Sequence, residues 1–81
     1  MKVSEVLAQA EMLPVTSEKA RIAQVGWAAG YLVVAYRTGQ TYIVGPDVPE
    51  DEASKLRRVP YPDNILNLNK VKHCWKTMKV G

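Results

Sequence analysis

His73 and Cys74 stand side by side near the end of an 81-residue chain, and a thiol beside an imidazole is the smallest set that suggests nucleophilic catalysis. On a helix, however, neighbouring residues point about 100° apart and do not face each other. No carboxylate lies close in sequence to orient the imidazole. One histidine and one cysteine also fall short of a zinc site, which takes four ligands or three and a water. Gly26, Gly30, Gly39 and Gly45 occur singly, so no glycine-rich phosphate loop is present. The expectation is a non-enzyme with no catalytic residue, no metal and no cofactor.

Charge offers more. Residues 1–52 set Lys2, Lys19, Arg21 and Arg37 against Glu5, Glu11, Glu18, Asp47, Glu50, Asp51 and Glu52, a net −3. Residues 53–81 set Lys55, Arg57, Arg58, Lys70, Lys72, Lys76 and Lys79 against Asp63 alone, a net +6. Several cations on one side attract a polyanion by releasing its counterions, and aromatic rings add stacking platforms for unpaired bases. The candidate nucleic-acid-binding residues are therefore Lys55, Arg57, Arg58, Tyr61, Lys70, Lys72, His73, Lys76 and Lys79, with Tyr42. The same asymmetry would also serve two halves that neutralise each other within the fold, or an acidic protein partner.

The elements that position these residues can be read in order. Val3, Val6, Leu7, Ala10 and Leu13 recur at helical steps, which predicts an amphipathic helix over residues 2–13, stopped by Pro14. Residues 1–14 thus form an N-terminal extension, docked on its own domain or on a second copy as a homodimer. Ala20 to Trp27 reads as a strand with an imperfect alternation. Tyr31 to Tyr36 is apolar on both faces, the mark of a central strand covered on two sides. Arg37 to Gln40 is a hairpin loop with Gly39 in the left-handed position, and Thr41 to Val44 is a third strand.

Gly45-Pro46 breaks the ladder, and a helix begins at Asp47-Val48-Pro49. Glu50, Asp51 and Glu52 then meet its positive end, while Lys55, Arg57 and Arg58 meet its negative end, before Pro60. That dipole match alone is sufficient reason for both clusters. Beyond Asp63, a candidate cap, Ile65, Leu68, Val71, Trp75 and Met78 keep helical spacing over fourteen positions. The alternation of Val71, His73 and Trp75 with Lys70, Lys72 and Cys74 fits a strand instead, but the length favours a helix. On that helix Lys72, Lys76 and Lys79 make an exposed line.

The expected fold is α+β, a three-stranded antiparallel meander packed with an N-terminal helix and two C-terminal helices, in one domain over residues 20–81. Its expected core is Leu7, Ile22, Leu32, Val34, Tyr36, Ile43, Leu56, Ile65, Leu68 and Trp75. A single cysteine excludes an intrachain disulfide. Glu5, Gln9 and Glu11 interrupt any signal-peptide core, and no apolar run approaches the roughly 18 residues of a membrane span. The expected compartment is the cytoplasm.

The order of these signals resembles the KTSC domain, a small module at the C-terminus of some lysyl-tRNA synthetases and in free-standing bacterial and phage proteins. The matching residues are Ile22 to Trp27, Leu32 to Val44, Val48-Pro-Glu50, Leu56, Asn67 and Trp75, about two-thirds of the chain. Tyr42 takes the first position of the family's Tyr-x-Tyr and Val44 replaces the second; Tyr61-Pro-Asp-Asn64 replaces the small residues before its asparagine. The resemblance implies an α+β binding module with RNA as the suggested ligand, and it transfers no catalytic residue. The alternative is a protein–protein interaction or inhibitor protein that sequesters an acidic host factor or a nucleotide.

Overall fold

A computed structural model describes residues 2–80. The elements are α1 (Val3–Gln9), β1 (Leu13–Pro14), β2 (Ile22–Ala28), β3 (Tyr31–Tyr36), β4 (Thr41–Gly45), α2 (Glu50–Arg58), α3 (Pro62–His73) and β5 (Lys76–Val80). The class is α+β, but the sheet has five antiparallel strands in the order β1-β2-β3-β4-β5, not three. No helix among the described residues is long and apolar enough to cross a membrane.

β3 is the middle strand and both its faces are buried. On one face Leu32 and Val34 join Ile22, Val25 and Val44 beneath Leu56 of α2 and Leu66 of α3. On the other, Val33 joins Ala28 and Ile43 beneath Val6 of α1. The uneven alternation of β2 has a local cause. A register shift between Ile22 and Gln24 adds one residue, so Ile22 and Val25 reach the same core although three positions apart.

The N-terminal helix is shorter than its apolar period. It ends at Gln9, and Leu13-Pro14 pairs with Val25 and Gln24 as an edge strand, where proline's missing donor faces no partner strand. The crossing is close. A Cβ on Gly26 would lie 3.0 Å from the Glu11 carbonyl and 2.6 Å from Met12 Sδ. Residues 3–14 of the expected extension are thus joined to the sheet, with Val3, Val6 and Ala10 facing it and Leu7 turned outward, 36% exposed, while Met1 lies outside the described residues.

The larger correction concerns the C-terminus. α3 begins after Tyr61 with Pro62 at its first turn and no side-chain cap, so Asp63 lies inside the helix. It stops at His73 because Cys74 turns left-handed (φ +56°), and the Trp75 amide returns to the Lys70 carbonyl at 3.0 Å. That is a Schellman-type ending built without glycine. The chain then pairs with β4 from Thr41↔Val80 to Gly45↔Lys76. Expected helix over 74–78 is therefore turn and strand.

The roll of α3 also differs from its apolar stripe. Leu66 is 2% exposed, whereas Ile65, Leu68 and Val71 are 38%, 68% and 81% exposed. Glu52 on α2 is buried, and its Oε1 accepts a 2.6 Å hydrogen bond from Asn69 Nδ2. A buried carboxylate needs such a partner, and meeting it turns Asn69 inward. Leu7, Ile65 and Leu68 are thus outside the core, and Tyr36 and Trp75 are half-buried at its margin.

Two stability measurements follow. In denaturant unfolding, Leu66→Ala is expected to lose about 2–5 kcal/mol, while Leu68→Ala stays within about 0.5 kcal/mol of the parent. The β2–β3 turn holds Ala29 and Gly30 both at positive φ (+51° and +85°). A side chain bearing Cβ is strained there, and asparagine tolerates it better. Ala29→Asn is expected to raise stability by roughly 0.5–1 kcal/mol in the same assay.

Candidate nucleic-acid interface

Tyr42 and Tyr36 meet where the β3–β4 hairpin opens toward α3. Their rings contact edge to face, with centroids 5.4 Å apart and planes at 86°. The pairing Val34↔Tyr42 puts both rings on the face that carries α2 and α3, two residues apart along the strand. The Tyr42 hydroxyl donates to Gln40 Oε1 at 2.8 Å. Beside the rings is a cavity of about 200 Å³ floored by Val34, Val44 and Leu66. Lys70 of α3 and Thr77 of β5 complete its rim.

The Tyr36 hydroxyl is held protonated. Burial is the main cause of its raised pKa, with the charge of Asp63 and then Tyr42 adding to it. Tyr36 therefore offers a neutral O–H donor at the pocket wall at any physiological pH.

Lys79 is the cross-strand partner of Tyr42, so it shares the tyrosine face; Lys76 pairs with Gly45 and points to the opposite face. His73 is exposed and stacks on the half-buried Trp75, 4.8 Å between ring centroids and 20° between planes. Lys72 is exposed on α3. Cys74 is exposed in the turn, with Sγ 4.0 Å from the Val71 carbonyl.

The α2 cations are elsewhere. Contact between Glu52 and Asn69 places the start of α2 beside the end of α3, so the two consecutive helices run oppositely. From Glu52, six residues at 1.5 Å per residue carry Arg58 about 9 Å away along the helix axis. Lys55 pairs with Asp51 at 3.3 Å. Arg57 lines a different cleft, of about 510 Å³, with Glu11, Glu50 and Asp51, and its carbonyl accepts from both Thr16 N and Thr16 Oγ1. Tyr61 is exposed just before α3.

Of the ten residues expected on one basic face, Tyr42 and Lys70 line the tyrosine pocket, Lys79 stands on the same sheet face as the cross-strand neighbour of Tyr42, and His73 stacks on Trp75 nearby in the chain. Lys55, Arg57 and Arg58 do not join them. Tyr36, Gln40 and Thr77 line the pocket and were missed. Strand alternation across the hairpin could have flagged Tyr36; Thr77 depended on seeing β5. No family model matches this chain, and neither does any curated protein or solved structure.

The raised Tyr36 pKa carries a pH signature. Stability from its protonated hydroxyl is complete below the ordinary tyrosine value of about 10 and is lost as pH rises through the higher folded value. A near-ultraviolet tyrosinate titration is expected to show a late-ionising component that Tyr36→Phe removes.

Proposed function

We propose that this chain is a KTSC-like, non-catalytic binding domain for single-stranded RNA or a related single-stranded nucleic acid. One base enters the tyrosine pocket while Lys70 and Lys79 meet flanking phosphates, and His73 on its Trp75 support offers a second stacking surface. Support comes first from the pocket itself: two tyrosines, a neutral hydroxyl donor and a lysine at the rim of an apolar floor. Its roughly 200 Å³ is below the ~300–1,000 Å³ of sites that enclose a drug-sized ligand, which suits one protruding ring. The order of KTSC-like residues supports the same reading.

Fluorescence anisotropy with a labelled single-stranded RNA, repeated over a range of salt, tests it. Affinity is expected to fall linearly on a log–log scale, and the Lys70→Ala/Lys79→Ala double variant should flatten that slope by roughly 0.7 per lysine removed. Tyr42→Ala should cost about 1–3 kcal/mol of binding and leave the slope alone. Arg58→Ala, at the far end of α2, should change neither. A slope unaltered in the double variant would refute the reading.

A further inference from the structure

The polar groups around the tyrosine pocket are mostly of one kind. Gln40 accepts the Tyr42 hydroxyl on Oε1 at 2.8 Å, so its free end is Nε2, which can only donate. Lys70 at the rim is likewise a donor with no acceptor capacity. The Tyr36 hydroxyl keeps its proton, because burial and the charge of Asp63 both resist its ionisation. The Tyr42 oxygen, its own proton committed to Gln40, is the one fixed acceptor. Thr38 and Thr77 carry hydroxyls that turn either way and set no preference.

Among the described residues no carboxylate lines this cavity; Asp63 acts on Tyr36 from α3 without joining the wall. The cleft against α2 has the opposite character, with Glu11, Glu50 and Asp51 around a single arginine, Arg57. Donors therefore outnumber acceptors at the pocket, and only there.

We propose that the pocket selects a keto base, uracil or guanine, over the amino bases cytosine and adenine. This rests on the site being a single-strand interface, and it adds which base is taken. With the backbone held outside by lysines, a base enters with the edge remote from its sugar leading. That edge carries a carbonyl oxygen in uracil and guanine, but an amino group in cytosine and adenine. A carbonyl oxygen has two lone pairs and takes two of the donors at once. An amino group competes for the single acceptor and leaves donor facing donor, which costs the desolvation of both. The positive charge of Lys70 acts in the same direction, since it attracts a carbonyl oxygen and repels an amino group. Gln40 is thus a specificity-determining residue, and its polarity is set by Tyr42.

Fluorescence anisotropy with labelled oligo(U) and oligo(C) of equal length tests the selection, because the two pyrimidines share size and backbone charge. Oligo(U) is expected to bind at least about fivefold tighter, the fold-change of one unpaired donor. Gln40→Glu keeps an oxygen for the Tyr42 hydroxyl and exchanges the free donor for an acceptor. It should weaken both complexes through its charge and bring the ratio of the two dissociation constants to unity or reverse it. Gln24→Glu, which adds the same charge at an exposed position on β2, should leave that ratio unchanged. If the parent binds oligo(C) as tightly as oligo(U), or tighter, with the salt slope intact, base selection is overturned and the single-strand interface stands. A preference for oligo(U) undiminished in Gln40→Glu would overturn it as well. Failure of both oligomers to bind would refute the interface and the selection together.

Discussion

A strand that is apolar on both faces obliges the rest of a small protein to cover it twice. β3 is such a strand, with Leu32 and Val34 turned one way and Val33 the other, all but removed from water. Neither α1 alone nor the α2–α3 pair could satisfy it. The chain divides the work: a seven-residue helix and its tether cover one face, and the longer helical hairpin covers the other. The side chains at the margin beside the hairpin are amphipathic ones, Tyr36, Tyr42, Trp75 and Lys70, each with an apolar body and a polar end.

Long-range ties hold the two layers in place. Trp27 Nε1 donates to the Val48 carbonyl at 2.7 Å, fixing where α2 begins relative to the sheet. Arg37 reaches back to the carbonyls of Ala20 (2.7 Å) and Ser17 (3.1 Å), and Thr16 binds the Arg57 carbonyl at the end of α2. Arg37 and Arg57 look like part of a cationic surface when only charges are counted. In the fold the Arg37 guanidinium secures a connector, whereas Arg57 holds Thr16 through its backbone carbonyl and its charged end lines the cleft with Glu11, Glu50 and Asp51.

Legibility in the sequence followed the range of the forces involved. The hairpin from Tyr31 to Gly45 and the helix after Pro49 are dictated by neighbours a few residues apart, by alternation, a left-handed glycine and dipole-matched charges, and both stand where expected. β1 and β5 are edge strands whose pairing partners lie far away, and their residues carry no strong strand preference. The regular spacing through Trp75 and Met78 was coincidence beyond His73, because Cys74 supplies a left-handed stop that usually announces itself as glycine or asparagine. Periodicity identified the stripe on α3 but not which way it faced. The rule that apolar faces turn inward lost there to a buried carboxylate. The same limit applied to the site: Tyr42, Lys70 and Lys79 were named from type alone, and only the fold shows that Tyr42 and Lys70 line one pocket and that Lys79 is the cross-strand neighbour of Tyr42.

The bond between Asn69 and Glu52 has a wider consequence than the stability of one helix pair. Side chains on a helix are geared to one another, so the residue turned inward determines the azimuth of all its neighbours. With Asn69 engaged, Lys70 is delivered to the pocket rim and Leu68 to the outside of the molecule. The pocket and the outer stripe are therefore two outputs of a single rotational setting. A change that rolled α3 toward burying Leu68 would withdraw Lys70 from the pocket in the same movement, so the two surfaces of this helix evolve as one trait.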